Sequence, residues 1–161
     1  MAGPTDPPRG ASPLFLTEPE IRRGIELLHF GQAAMTRAIA PRLEAEALGR
    51  AHQRAMYFIA RRPNISVGEL LGILAITKQS LGRVVNDLTE RGLVEIRPGD
   101  RDRRQRLLRL TAAGTAIEAE LYAALSTRLA AAYSRAGQEA VGGFWAVLEG
   151  LSPPGQRLTR A

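Results

Sequence analysis

Arg101, Arg103 and Arg104 stand almost side by side, with only Asp100 and Asp102 to offset them. Guanidinium groups stay protonated and fork onto phosphate. They also enter a narrow minor groove, where the negative potential of duplex DNA is strongest. A carboxylate inside such a cluster adds nothing to the attraction for a polyanion, so Asp102 is expected to orient a neighbouring arginine through a carboxylate–guanidinium pair. Taken alone, the run would also suit a solvated loop. Earlier in the chain, Lys78, Gln79 and Arg83 form a second set. Gln79 can offer a donor and an acceptor together to adenine, and Arg83 can fork onto guanine, while Lys78 suits phosphate. A good bidentate pair discriminates against the wrong base by roughly 1–3 kcal/mol.

Two short helices must present that second set. Ser66-Val67-Gly68-Glu69 has capping-box spacing, and Leu70, Leu71, Ile73 and Leu74 supply the buried side of the first helix. After Ala75 and Ile76, Thr77 has the chemistry of an N-cap for a second helix that Gly92 would end. Leu81, Val84, Val85 and Leu88 recur at i, i+3, i+4 and i+7 and should face a core. Lys78, Gln79, Gly82, Arg83 and Asn86 then point outward, with Ser80 near the edge. A mid-helix glycine costs on the order of 1 kcal/mol relative to alanine. Gly82 therefore marks either a close approach to a ligand or a solvent-facing position under little demand.

The arginine run needs a hairpin. Leu93 to Arg97 alternates as a strand, Pro98-Gly99-Asp100 is turn chemistry, and Arg106 to Leu110 returns as a second strand. Around this lobe a first helix should begin near Thr17-Glu18-Pro19-Glu20, carry Ile21, Ile25, Leu28, Met35 and Ile39 on one side, and end or bend at Pro41. A helix over about 51–61 follows, turning Met56 and Ile59 inward until Pro63 stops it. Thr111 can cap a long helix carrying Ile117, Leu121, Leu125 and Leu129, and a last helix carries Val141, Phe144, Trp145, Val147, Leu148 and Leu151. These flanking helices are more apolar than one such lobe can bury, so dimerisation through them is expected, on Ile21, Ile25, Leu28, Leu125, Leu129, Phe144, Trp145 and Leu148.

The order helix, turn, helix ending in Glu90-Arg91-Gly92-Leu93-Val94, then Asp102-Arg103-Arg104 and Leu110-Thr111-Ala112-Ala113-Gly114, resembles the MarR family of dimeric winged helix-turn-helix regulators. The resemblance spans about residues 21–151. Gly49-Arg50-Ala51-His52 and Ile76-Thr77-Lys78-Gln79-Ser80-Leu81 are similar to its PetP-type branch. It implies a mainly α fold with a small β-hairpin wing, a DNA-binding lobe over about 50–110, and dimerisation helices over about 17–48 and 111–151. It further implies base and phosphate contacts from Thr77, Lys78, Gln79, Ser80 and Arg83, minor-groove insertion of Arg104 oriented by Asp102, and support from Arg103. Two wings would reach along a pseudo-palindromic operator, with the reading helices about 34–36 Å apart. Ala75 departs from the glycine common in the family, but a small residue still fits.

Composition agrees. With 22 Lys+Arg against 16 Asp+Glu, the 161-residue chain carries a net charge of +6, which favours a polyanionic partner. No apolar run approaches the ~18 residues of a membrane span. The amino terminus lacks the charged start and apolar block of a signal peptide, so a cytoplasmic protein is expected. Absence of cysteine excludes disulfides and the thiol-based peroxide sensing of some MarR relatives. Residues 1–16 and 152–161 read as flexible tails rich in Pro and Gly. His29 and His52 are the only histidines, and neither sits in a nucleophile or zinc signature, so catalysis is not expected. Glu26 and His29 share a helical face, a weak basis for metal sensing. His52, between Arg50 and Arg54, is expected at the surface or near phosphate. The expected function is a sequence-specific homodimeric regulator of transcription, a repressor released by a small molecule held between the DNA-binding lobe and the dimer helices, with no cofactor. A weakly selective architectural or protein-interaction module is the alternative, followed by a metal-responsive sensor or enzyme.

Overall fold

The elements follow as α1 (Glu18–Ala45), α2 (Arg50–Arg61), β1 (Ile65–Ser66), α3 (Val67–Leu74), α4 (Lys78–Glu90), β2 (Val94–Pro98), β3 (Arg106–Leu110), α5 (Ala112–Ala136) and α6 (Gln138–Leu151). This computed structural model describes residues 17–99 and 102–153. The tails at 1–16 and 154–161, and Arg101, lie outside the described residues. The fold is mainly α with a small antiparallel sheet, as expected. It divides into two compact units, residues 1–37 and 38–161, and the sites below lie in the second.

Local caps start the helices where the hydroxyl spacing predicts. Ser66 Oγ accepts from the Glu69 N–H at 3.2 Å, and the Glu69 carboxylate accepts from the Ser66 N–H at 2.9 Å, completing the box. Those bonds from the Ser66 hydroxyl and N–H hold the Glu69 carboxyl below its ordinary range. Thr77 and Thr111 cap α4 and α5 by accepting from the Ser80 and Gly114 N–H groups, each at 3.1 Å. Gly92, at φ +68°, ends α4 in a Schellman arrangement: its N–H donates to the Thr89 carbonyl and the Leu93 N–H to the Leu88 carbonyl. Ala75 ends α3 at φ 50°, ψ 44°, a left-handed conformation that strains a residue bearing a Cβ.

The core of the second unit gathers Met56 and Ile59 of α2, Leu70 and Leu74 of α3, Leu81, Val85 and Leu88 of α4, Leu108 of β3 and Leu121 of α5, all buried. Strand order is β1-β3-β2. The hairpin pairs Val94 with Leu110 through to Pro98 with Arg106, and Pro98 is tolerated because β2 is an edge strand. The third strand is new relative to the sequence reading: Ile65 and Ser66 pair with Leu108 and Leu107. Two residues are too few to show a period of two.

Pro41 does not end α1, one of the two expected outcomes, since the helix runs on to Ala45. Proline removes one intrahelical N–H, but the last turn is held from elsewhere. Leu43 is buried, and Arg42 pairs with Glu46 and with Glu120 of α5. Those two carboxylates, Glu46 first, raise the Arg42 pKa above its ordinary value.

Candidate nucleic-acid interface

Helix α4 turns one face inward on Leu81, Val84, Val85 and Leu88 and leaves Lys78, Gln79, Ser80, Arg83 and Asn86 exposed. No acid lies in its first turn, so the positive end of the helix dipole there is not neutralised. Lys78, Gln79, Arg83 and Asn86 make no side-chain hydrogen bond or ion pair with the described residues. Thr77 is engaged differently: besides capping, its hydroxyl donates to Ser80 Oγ at 2.8 Å. The Ser80 hydroxyl hydrogen remains available to a ligand. A Cβ built on Gly82 meets nothing within 4 Å, so no contact with the described residues requires glycine at that position.

The wing tip is closed by main-chain bonds. The Gly99 N–H donates to the Gln105 carbonyl at 3.0 Å and the Gln105 N–H to the Asp102 carbonyl at 2.9 Å. Asp102 pairs with neither the Arg103 nor the Arg104 guanidinium, which corrects the expected carboxylate–guanidinium contact for those two arginines. Its Oδ1 accepts instead from the Arg104 backbone N–H at 2.9 Å, an Asx-type turn. A two-residue turn satisfies this short side chain locally and leaves the Arg103 and Arg104 side chains exposed. Asp102 thus fixes the backbone that carries Arg104 rather than its guanidinium.

His52 is not a free surface residue. The Gly49 N–H donates to its Nδ1 at 3.0 Å, so the proton of the neutral ring is on Nε2, which lies 2.9 Å from Asp87 Oδ2 on α4. Asp87 also accepts from Arg91 Nε at 2.8 Å, and Arg91 donates to the Glu46 carbonyl at 3.0 Å. The Arg91 bond, with a smaller contribution from His52, holds the Asp87 carboxyl below the usual carboxylate range. Arg54 of α2 donates to the Leu74 carbonyl at 2.7 Å, at the end of α3. The sequence reading missed this set, although a glycine three residues before a histidine and an Asp–Arg pair four apart were both visible. Among the described residues no group of three or more His, Asp or Glu side chains could hold a metal, and no helix is long and apolar enough to cross a membrane.

Of the residues assigned to dimerisation, Ile21, Ile25 and Leu28 are exposed on α1, and Phe144 and Trp145 on α6. Leu125, Leu129 and Leu148 are half-buried. Helix α6 buries none of its residues fully in this chain.

The family model of the MarR family matches residues 48–105, from the turn before α2 to the end of the wing tip. The HTH-type transcriptional regulator PetP of Rhodobacter capsulatus is 44% identical over 153 residues, 95% of this chain and 92% of the relative. The chain belongs to the MarR family. It is therefore a winged helix-turn-helix, DNA-binding regulator of transcription. Solved MarR-type structures share the fold. The C80S mutant of Escherichia coli MarR complexed with operator DNA aligns with TM-score 0.64 at 22% identity, over 89% of this chain and 100% of that one. NadR in complex with 4-hydroxyphenylacetate aligns with TM-score 0.69 at 23% identity, over 92% and 97%.

Proposed function

We propose that this MarR-family chain is a homodimeric, sequence-specific repressor that grips duplex DNA through α4 and its wing and releases it when a small-molecule effector binds. The observation that carries this reading is the exposed, acid-free start of α4, where Lys78, Gln79 and Arg83 have no partner among the described residues. Gln79 and Arg83 read base edges in the major groove, and Lys78, Thr77 and Ser80 hold phosphates. Arg104, supported by Arg103 and Arg101 and carried on the turn that Asp102 fixes, enters the minor groove.

Residues of about 50–110 form the DNA-binding lobe in this reading, and about 17–48 and 111–151 dimerise. Support for the dimer is the apolar surface left in water: Ile25 is 63% exposed and Leu151 64%. Large apolar side chains left exposed on helices in this way favour association. A twofold pair would set the two reading helices about 34–36 Å apart on a pseudo-palindromic operator. Effector release is supported by the likeness to NadR, which was solved with an aromatic acid bound.

Selection of bound duplexes from a random DNA pool tests the proposal. A pseudo-palindromic consensus is expected. Affinity equal for all sequences and steep in salt would instead make this a weakly selective architectural protein. Against the selected duplex, Gln79→Ala or Arg83→Ala should relax base preference at one or two positions, measured by repeating the selection. Lys78→Ala should weaken binding alike for all sequences and reduce the salt slope by about 1. Unchanged preference in both the Gln79 and Arg83 variants would misplace the reading face. Gly82→Ala should stabilise α4 by about 1 kcal/mol in urea unfolding yet weaken binding to the selected duplex. A stabler protein that binds unchanged would remove the close-approach role for Gly82.

A further inference from the structure

We infer that His52 is a positioning residue for α4, setting the angle at which the reading residues meet DNA without touching DNA itself. This rests on the proposed DNA reading for its consequence and on the bonds of α2 for its geometry. Helix α4 is tied down at both ends. At its entry, Arg54 Nη2 holds the Leu74 carbonyl one residue before the left-handed Ala75, fixing the turn from which Thr77 starts the helix. At its far end, His52 Nε2 donates to Asp87 Oδ2, while Gly49 locks the ring by donating to Nδ1. Lys78, Gln79 and Arg83 lie between the two ties. The ring has no further ordinary hydrogen-bonding nitrogen to give to a phosphate, because both are occupied within the chain.

Asp87 makes sense only with this partner set. A carboxylate towards the C-terminal end of a helix is unfavourable to the dipole, and near DNA it is repelled by phosphate. Arg91 and His52 engage its two oxygens, and Arg91 extends the tie to the Glu46 carbonyl after α1. The carboxylate thus anchors α4 to α2 and to the segment after α1, the arrangement needed to hold one docking angle. A tilt error moves every base contact together, so losing the tie reduces specific binding more than phosphate binding.

The test uses the full chain, with His52→Ala, Asp87→Ala and the double variant measured against the selected duplex and a scrambled duplex of equal length. Each single variant should lose roughly tenfold for the selected duplex, keep the scrambled-duplex affinity and salt slope, and the double variant should be no worse than either. Equal losses on both duplexes with a flatter salt slope would make His52 a phosphate contact and overturn the inference. Unchanged affinities with a lowered melting temperature would reduce His52 to a structural residue, with the same result. A second arm needs no DNA. Imidazole nitrogen NMR of the free protein should show the proton on Nε2, with the Nε2 signal shifted in Asp87→Ala by loss of its acceptor while the Gly49 bond keeps the proton on that nitrogen, and His52→Ala should shift the amide signals of residues 78–83. If the selection recovers no consensus, the proposed reading fails while this arm still decides the tie: unshifted amides in His52→Ala would overturn it.

Discussion

Arg104→Ala is expected to weaken binding to the selected duplex by roughly 10- to 100-fold, the loss of one charge-assisted contact, with helical content and melting temperature unchanged. The Arg104 side chain is exposed and pairs with no described residue, so no interaction among the described residues depends on it. Fluorescence titration of the duplex alongside circular dichroism measures both. The Asp102 variants separate two accounts of the same tip. Asp102 Oδ1 accepts from the Arg104 N–H, a bond that asparagine can also accept. Asp102→Asn should therefore retain binding, because it keeps the turn and sheds a negative charge near phosphate, whereas Asp102→Ala should weaken it. If Asp102→Asn binds as poorly as Asp102→Ala, the carboxylate charge itself is needed and the backbone account fails. Full affinity in Arg104→Ala would remove the arginine from the interface.

Gly114→Ala is expected to destabilise the protein by about 3 kcal/mol or more, from overpacking that side-chain rearrangement cannot relieve. A Cβ built there falls 2.0 Å from the Leu93 carbonyl oxygen and 2.9 Å from its carbon. Both are backbone atoms, and the same oxygen accepts from the Thr111 N–H at 3.0 Å, while the Thr111 hydroxyl donates to the Gly92 carbonyl at 2.7 Å. Moving α5 away together with its cap to admit a methyl group would break both of these bonds. Gly72→Ala is the control, because its Cβ meets nothing within 4 Å on an exposed part of α3 and alanine favours helix. Urea unfolding should show a large loss for Gly114→Ala and none for Gly72→Ala. A Gly114→Ala protein as stable as the wild type would mean that α5 does not sit this close to Leu93. The contact has a functional side, since it joins the helix after the wing to the turn that ends α4.

Much of this was legible in the amino-acid order because the deciding interactions span only a few residues. The Ser66–Glu69 box, the Thr77 and Thr111 caps, the Gly92 stop and the inward stripe of Leu81, Val84, Val85 and Leu88 all appear where the spacing places them. That stripe also decided which side chains of α4 face out, and so which residues could meet DNA. Asp102 shows the limit of such reasoning. Its short range was correctly read as local, but whether it would choose a guanidinium or an N–H is a matter of turn geometry, and the backbone N–H is nearer and already ordered.

By itself, the sequence determined the helices, their starts and the arginine-bearing hairpin, because capping, side-chain periodicity and turn chemistry act within one or two turns of chain. Only the tertiary structure decided the pairing of Ile65 with Leu108, the continuation of α1 past Pro41, the fit of Gly114 against Leu93 and the tie from His52 to Asp87. Each of these joins groups far apart along the chain, as Arg42 finds Glu120 78 residues on. No local pattern encodes such a partner. The distance is set when the helices pack, and packing depends on the summed shape of the whole core.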